Sequence, residues 1–494
     1  MHEPGKSDDP VLPAKPPNKA VATEAVEGRG SAKGNTDSTA RAGRSAGQSV
    51  SPELDRVREA ARRNKKARFT ALLHHVDLDR LRAAYRALNP AAAPGVDGVT
   101  WAAYGAELEG NLERLLTRVH RGSYRAQPSR RAYIPKTDGR RRPLGIASLE
   151  DKIVQRAVVE VLNAIYETDF LGFSYGCRSG RSPHHALDAL AAGILRKKVN
   201  WVLDADLRDF FTSFDQSWLL RFLEHRIGDK RVLRLIQKWL RAGVTEQGSW
   251  SESTEGVPQG ASVSPLLANV YLHYVFDQWV QQWRKRHAHG DMIVVRYLDD
   301  FVAGFEHQSD AERFLADLRE RLARFALELH PGKTRLIEFG RLAVQHRRAR
   351  GLGKPETFDF LGFTHICGKT RAGQFKLLRI TMTKRMRARL HQVKHRLQRN
   401  RHLPIPVQGR WLGSVVRGHL GYYAVPGNSG AISNFRVQIG RHWCQALRRR
   451  GQRHHLNWER MNRLIARWLP RARILHPYPQ VRFDARTCGR SPVR

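Results

Sequence analysis

The stretch IVVRYLDDFVAGF, from Ile293 to Phe305, sets two adjacent carboxylates, Asp299 and Asp300, between two apolar, β-prone arms. The pattern predicts a hairpin over Met292–Phe305 with the acids at its tip, held in one place by a rigid scaffold. Burying two acids side by side is costly unless cations compensate them. A plain turn that uses Asp-Asp as turn formers is the blander reading of the same residues.

A second acid-bearing stretch shifts the balance. WVLDADLRDFF, from Trp201 to Phe211, carries Asp204, Asp206 and Asp209 at the end of another apolar strand. The strand, expected over Val199–Leu207, leads into a helix with Ser213 or Asp215 as its cap. Two strand ends that each present acids can converge on a pair of hard divalent cations. Magnesium favours a few carboxylates plus substrate phosphates over a complete protein cage. Two such ions would stabilise both the attacking and the leaving oxygen of a phosphoryl transfer. Asp209 and Asp215 read as solvated or capping residues.

The remainder of the chain suits a phosphate-rich partner. Its 494 residues, about three domains by length, carry 86 Lys and Arg against 46 Asp and Glu, a formal net charge of +40. RNA or DNA is the default partner at that balance, and Arg's planar fork suits phosphate and base edges. An anionic membrane surface is the rival, but no apolar stretch approaches the roughly 20 residues a span needs, so no membrane is expected. The N-terminus lacks the apolar core of a secretory signal. Cys177, Cys367, Cys444 and Cys488 lie far apart with no CxxC spacing, which disfavours a zinc ribbon or disulfide framework. A soluble, reducing, cytoplasmic setting is the expectation.

Residues 1–50, rich in Pro, Gly, Ala, Ser and Lys, are expected to be disordered. Helical patterns are expected from Ser51 to about Leu88, over Thr100–Val119, Glu150–Tyr166, Pro265–Trp283 and Asp310–Leu329, with a basic hairpin after Tyr124 around the Asp138-Gly139 turn. Residues 371–494 carry 28 Lys and Arg against two acids, Glu459 and Asp484, interleaved with Trp411, Tyr422, Tyr423, Trp443, Trp458 and Trp468. Such a surface repels itself without a polyanion, and phosphate contacts would make its affinity salt-sensitive. The pairs His74-His75, His184-His185 and His454-His455 read as surface or RNA-facing residues.

In this setting Tyr297-Leu298-Asp299-Asp300 resembles the Y-x-D-D box of reverse transcriptases, and Asp206 with Phe211 five positions later resembles their first catalytic motif. The other blocks match in order along the chain, specifically the group II intron-encoded type. Arg131 to Lys136 with Arg142 to Ile146 resembles the fingers hairpin, and Gly256 to Gly260 with Ser264 to Asn269 the block facing the incoming nucleotide. His330 to Thr334 and Phe358 to Phe363 resemble the two palm blocks after the acid box, and Arg417 to Tyr423 the maturase or thumb region. The resemblance covers roughly residues 55–480. Leu298 stands where intron-encoded relatives usually have Ala, which bears on substrate preference. His-Pro-Gly-Lys-Thr replaces the usual Asn-Pro-Glu-Lys-Thr, with Lys333 in place.

The resemblance implies an α+β right-hand polymerase: fingers over 51–195, a palm with a small antiparallel sheet over 196–365, a helical thumb or maturase domain over 370–480 and a C-terminal tail over 481–494. It implies catalysis by Asp206, Asp299 and Asp300, which with Leu207 would hold two Mg²⁺ ions. Asp204 is the structural alternate, its spacing to the aromatic being wrong. Lys136 and Arg142 would pair with the triphosphate, Phe211 would exclude a 2′-hydroxyl, Gln259 would touch the sugar or base, and Lys333 would approach the leaving pyrophosphate. Core packing, a solvated hairpin and a surface lysine are the bland readings of Phe211, the Lys136–Arg142 hairpin and Lys333. Phe360, Leu361, Gly362 and Phe363 would grip the primer, with strand packing as the alternative. Arg417, Tyr422, Tyr423, Arg441, Arg448, Arg449 and Arg450 would bind RNA.

The implied partners are intron RNA, a DNA primer or target, and dNTPs. No His-Asn-His nuclease is expected, so priming would come from nascent strands or existing ends. An RNA-binding splicing cofactor with a vestigial polymerase site is one alternative, although three acids kept together with Phe211, Gln259 and Lys333 argue against it. A domesticated reverse transcriptase in defence or DNA repair is another.

Overall fold

Val202, Ile293, Val295 and Val302 contribute to one buried core, while Leu203, Val294, Phe301 and Ala303 contribute to another. Successive strand residues point to opposite faces. A sheet covered on both sides therefore needs unbroken apolar runs, which is why the two acid-bearing stretches read as continuous. The computed structural model describes residues 52–135, 141–246, 248–252, 255–450 and 456–487. The segment expected to be disordered, residues 1–50, lies outside them.

The first described third is mainly helical. Helices α1 (Pro52–Arg63), α2 (Leu78–Ala87), α3 (Trp101–Gly105) and α4 (Leu108–His120) precede strands β1 (Ser129–Pro135) and β2 (Arg141–Ile146). The helix expected from Ser51 to Leu88 is thus two helices with a 3-10 turn, Leu73–His75, between them. Asp229 accepts from the amides of Leu72 and Leu73, 2.8 and 3.0 Å away. That anchor, distant in sequence, fixes the turn where local pattern alone predicts continuity. Strands β1 and β2 form the expected basic hairpin, with Tyr133 opposite Pro143. Helix α5 (Leu149–Asp169) is capped by Ser148, and α6 (Pro183–Arg196) opens with a capping box between Ser182 and His185.

Strand β3 (Trp201–Asp206) follows, then α7 (Phe210–Ser213), α8 (Gln216–Glu224) and α9 (Lys230–Arg241). Asp215 accepts from the amides of Ser217 and Trp218, so it is the cap of α8. Strands β4 (Val244–Glu246) and β5 (Ser249–Ser251) extend the first sheet in the order β2-β1-β4-β5. The predicted helix Pro265–Trp283 divides into α10 (Ser264–Leu272) and α11 (Gln278–Arg286), separated by one π-helical turn, His273–Asp277.

Strands β6 (Met292–Tyr297) and β7 (Asp300–Phe305) form the acid hairpin, and α12 (Gln308–Ala323) ends six residues before Leu329. After β8 (Arg335–Glu338) and α13 (Ala343–Ala349), the central sheet is complete in the order β6-β7-β3-β8, antiparallel throughout.

A third sheet, β9 (Phe358–Phe360), β10 (Phe363–Lys369) and β11 (Phe375–Thr381), stands in front of the C-terminal helices. Strand β11 lies in a segment expected to be helical. Helices α14 (Thr383–Arg399), α15 (Ile405–Tyr423), α16 (Ser429–Arg448) and α17 (Trp458–Trp468) then pack around Trp443, Leu412 and Met461. The close approach of α15 to α17 needs glycine: a Cβ on Gly409 would lie 2.5 Å from the Trp468 ring.

The expected tail, residues 481–494, is corrected in part: α18 (Pro479–Thr487) docks on α6. Arg196 makes two bonds of 2.8 and 2.7 Å to Asp484, and Phe483 is buried. Arg482 and Arg379 share the buried Asp188. A local reading cannot anticipate partners nearly three hundred residues away. The mixed helix and sheet content, the small antiparallel sheets and the helical C-terminal region agree with the expected α+β class.

Candidate active site

Strand register brings the acids together. Asp206 is the direct cross-strand partner of Asp300 between β3 and β7, and Tyr297 pairs with Asp300 across the acid hairpin. Leu298 and Asp299 form the two-residue turn, and the Leu207 amide donates to the Asp299 carbonyl at 3.3 Å. Asp206 and Asp299 are buried and Asp300 is half-buried. Like charges directly opposite one another destabilise a sheet, so the site calls for cationic compensation. The Lys333 ammonium supplies part of it by donating to Asp206. Its loop is tied to the same residue, since the His330 amide donates to the Asp206 carbonyl at 2.8 Å.

The donors are carboxylate oxygens, which suit a hard divalent ion such as Mg²⁺. Among the described residues no three His, Cys, Asp or Glu side chains close around a point as a complete cage. An ion held by few carboxylates and completed by substrate phosphates does not require one. Asp204 lies two residues back on β3 and is paired with Arg335 at 3.5 Å. Burial pushes its carboxyl up to about 6.

The acid turn is strained, and the means of holding it is not among the sequence expectations. Leu298 has φ of 56°, a left-handed conformation costing a branched-chain residue about 1–2 kcal/mol. Arg296, beneath it, donates to the Leu298 carbonyl at 3.2 Å and to the Asn269 side chain at 3.1 Å. The rest of its guanidinium makes two bonds, 2.7 and 2.6 Å, to Asp277 and one of 2.7 Å to the Ser174 hydroxyl. Both members of the ion pair are at most 1% exposed. Asp277 closes the π-helical turn, whose extra residue per turn shifts the register of α11; such bulges concentrate at functional sites. Asn269 also donates to the Gly176 carbonyl at 2.8 Å. Gly176 lies so close under the turn that a Cβ there would be 2.5 Å from the Leu298 amide. A usable signal is present in the chain: Arg296 within IVVRY and Asp277 within HYVFD are single charges in apolar runs, and each needs the other.

Phe211 is half-buried, with its ring 5.4 Å from Phe210 in an edge contact. Its carbonyl accepts from the Val257 amide at 2.8 Å, while the Gln259 carbonyl accepts from the Gly145 amide at 2.6 Å. The loop Gly256–Gly260 therefore bridges the Phe211 turn and the β1–β2 hairpin. Gly256 has φ of 64°, and a Cβ there would lie 2.3 Å from the Phe211 carbonyl oxygen. The Gln259 backbone is thereby tied to β2. Arg142 lies on β2 opposite Ile134, and Lys136 falls outside the described residues. Leu298 itself is 3% exposed against Gly176, so its departure from Ala is met by packing.

Other expected contacts are corrected. Phe360 and Phe363 are core residues, 3% and 0% exposed, so their side chains hold the β9–β10 turn and are not available to grip a primer. The turn itself, Leu361 and Gly362 with φ of 47° and 85°, is half-buried at Leu361. Tyr422 and Tyr423 are likewise structural. The Tyr422 hydroxyl donates to the Leu361 carbonyl at 2.7 Å, Tyr423 is buried, and burial raises the pKa of both phenols. The expectation that they face RNA rests on the fitness of aromatics among arginines for stacking, yet their rings close the seam between α15 and the Phe363 strand.

Arg417, Arg441, Arg448 and Arg449 are exposed, while Arg450 is half-buried and donates to the Leu403 carbonyl. His184 is buried and stacked 4.1 Å from His476, and His185 caps α6, so neither is a free surface residue. His75 is buried beside His74, and His454-His455 lies outside the described residues.

Comparison with known proteins agrees with this arrangement. The family described as reverse transcriptase (RNA-dependent DNA polymerase) matches residues 134–365, which include all three acids. Protein YkfC of Escherichia coli K12 is 39% identical over 195 residues, covering 39% of this chain and 51% of its own. The group II intron-encoded protein LtrA of Lactococcus lactis is 32% identical over 235 residues, covering 47% of this chain and 39% of its own. Nuclear intron maturase 3, mitochondrial, of Arabidopsis thaliana is 25% identical over 200 residues, 36% of this chain and 27% of its own. The matched regions thus span about half or less of these relatives' lengths. Residues 134–365 thus carry a reverse transcriptase domain, and the proteins similar to this chain include a group II intron-encoded protein and an intron maturase.

Proposed function

We propose that this protein is an RNA-directed DNA polymerase that adds dNTPs to a primer 3′-hydroxyl on an RNA template. The observation that carries the reading is the register pairing of Asp206 with Asp300, with Asp299 in the adjoining turn. In this reading Asp206, Asp299 and Asp300, with Leu207, hold two Mg²⁺ ions. When bound, the ions polarise the primer oxygen and the phosphoryl group and neutralise developing charge. Arg296 and Asp277 hold the acid turn in its strained shape. Lys333 gives up Asp206 as the ions and nucleotide enter and turns its ammonium to the leaving pyrophosphate. Phe211 and Gln259 flank the sugar, and Lys136 and Arg142 pair with the triphosphate.

The architecture in this reading is a right hand, with fingers to about residue 195, a palm to about 365 and a thumb formed by α14–α17. The exposed Arg417, Arg441, Arg448 and Arg449 bind intron RNA and assist its splicing, and copying of that RNA serves intron mobility. A cytoplasmic setting goes with this reading.

The test is primer extension on an RNA template with dNTPs and Mg²⁺, comparing wild type with Asp299→Ala/Asp300→Ala. Extension by wild type and none by the variant is the expected result. Failure of the RNA-binding wild type to make DNA with any divalent ion would overturn the polymerase reading and leave an RNA-folding cofactor.

A further inference from the structure

An open cavity of about 460 Å³ lies between the Arg125–Ala126 segment and helix α9. It is lined by Arg125, Arg234, Gln237, Lys238 and Arg241, with no acid among its lining residues. Its walls belong to neither the central sheet nor the Gly256–Gly260 and His330–Thr334 loops, so it lies apart from the elements that carry the catalytic acids.

The cationic lining is built in. Helix α9 buries Val232, Leu233, Leu235, Ile236, Trp239 and Leu240, which leaves Arg234, Lys238 and Arg241 as a ridge at spacings of four and three. Like charges at that spacing destabilise a helix. Lys238 donates to the carbonyls of Gly122 and Tyr124, 2.9 and 2.5 Å away, and the Trp239 indole donates to the Tyr124 hydroxyl at 3.0 Å. These bonds pin the turn next to Arg125, which lines the cavity together with Arg234. Among the described residues Arg125, Arg234 and Arg241 make no ion pair, whereas the acids near them in sequence are engaged elsewhere. Asp229 holds Arg231, and Glu246 holds Tyr133 and Arg131.

A dipole account covers part of the ridge, since Lys238 and Arg241 lie in the last turn of α9. It does not cover Arg125, which comes from outside the helix, or Arg234 in its middle. Trp250 of β5, 56% exposed, is tied to the lining residue Ala242, its indole donating to the Ala242 carbonyl at 3.1 Å. A cationic pocket beside a fixed, exposed aromatic face matches a phosphodiester backbone with an unpaired base.

We propose that this pocket is a second nucleic-acid site, outside the polymerase cleft, that holds backbone phosphates on Arg125, Arg234 and Arg241 and stacks an unpaired base on Trp250. The strand can be RNA or DNA, since both present this chemistry. The site does not depend on the polymerase reading, because its test measures binding directly.

The full-length protein is saturated with an unlabelled blunt RNA–DNA hybrid and then titrated with a short labelled single-stranded RNA, and separately a DNA of the same sequence, across a salt series. Wild type should bind at least one of them, and whichever it prefers identifies the source. Arg125→Glu/Arg234→Glu should bind at least about ten-fold more weakly, with a salt slope lower by about 1.4 for the two lost phosphate contacts. Trp250→Ala should lose about five-fold or more with the slope unchanged. Arg125→Gln/Arg234→Gln, which removes charge with less risk to folding, should show the same loss of slope. Primer extension by all these variants should stay at the wild-type level. Unchanged affinity and slope in the charge variants would overturn the proposal. Loss of extension in step with binding would also overturn it, because the residues would then serve the catalytic cleft.

Discussion

The acid hairpin and the C-terminal helices handle charge in opposite ways. Around the hairpin, charges are few and matched: Arg296 with Asp277, both buried, and the more exposed Lys333 and Arg335 with Asp206 and Asp204. In α14–α17 cations stay on the outside, as Arg385, Arg387, Arg417, Arg441 and Arg448 do, while the core is apolar and aromatic with neutral histidines. A buried, matched charge has one position and can take part in chemistry that tolerates little displacement. An exposed, unmatched charge has many positions and can follow a polyanion of variable shape. The first arrangement gives geometry; the second gives salt-dependent affinity.

The sharpest way to break this contrast is to remove one acid. Asp206→Asn should lower primer extension at least about a thousand-fold, since it withdraws charge stabilisation from the reaction centre. Its RNA affinity, measured by filter binding, should stay within about two-fold of wild type. A large loss of affinity instead would mean that the two regions are not separable.

The next largest effect concerns stability. Arg296→Leu leaves the Asp277 carboxylate buried without its partner and should destabilise the protein by about 3–5 kcal/mol in denaturant unfolding. Arg296→Leu/Asp277→Leu should recover most of that loss while extension remains impaired, because the Leu298 carbonyl has still lost its donor. If the double variant regained activity along with stability, the pair would be serving packing alone.

On the other side of the comparison, Arg441→Gln/Arg448→Gln/Arg449→Gln should leave extension at saturating primer–template unchanged. It should flatten the dependence of RNA affinity on salt by about 0.7–0.9 per lost phosphate contact. An unchanged slope would remove these arginines from the RNA surface.

The smallest effect is pH dependence. Burial pushes His365 and His419 down to about 3 and His184 to about 2, all beside the core that contains Val202 and Trp443. Their folded-state values lie below the unfolded value near 6.5. Their stabilisation is therefore complete above about pH 6.5 and is lost progressively as pH falls toward 3. Each histidine contributes through the proton it takes up on unfolding. Melting temperature should fall with acidification over this range. His419→Phe, which keeps a ring over Phe435, should make the fall shallower; an unaltered pH profile would show that the histidine is protonated in the folded state.

Much of the site is legible in the sequence because its signals are local. Two carboxylates in an apolar run, an acid and an aromatic five residues apart, and a Gly-Val-Pro-Gln-Gly turn each occupy a short stretch. Asp215 as a cap is legible for the same reason. The errors have a shared cause. The motifs of Phe360, Phe363, Tyr422 and Tyr423 point to ligands, but whether an aromatic faces a ligand or a core depends on what packs against it. The division of the Pro265–Trp283 helix is hidden because its apolar spacing runs on through the π-helical turn. The docking of α18 is hidden because Asp188 and Asp484 meet their partners only across the fold.

By itself the sequence determined the order of elements around the acids, the excess of positive charge and the resemblance to reverse transcriptases. These follow from residue type and spacing, which require no knowledge of distant contacts. Only the tertiary structure decided that Asp206 stands opposite Asp300, that Arg296 and Asp277 hold the turn between them, and that four basic side chains from two separate segments share one pocket. Each of those facts is a meeting of residues far apart in the chain. Burial fixes such meetings, because a charge or a strained turn withdrawn from water persists only where another part of the chain supplies its partner.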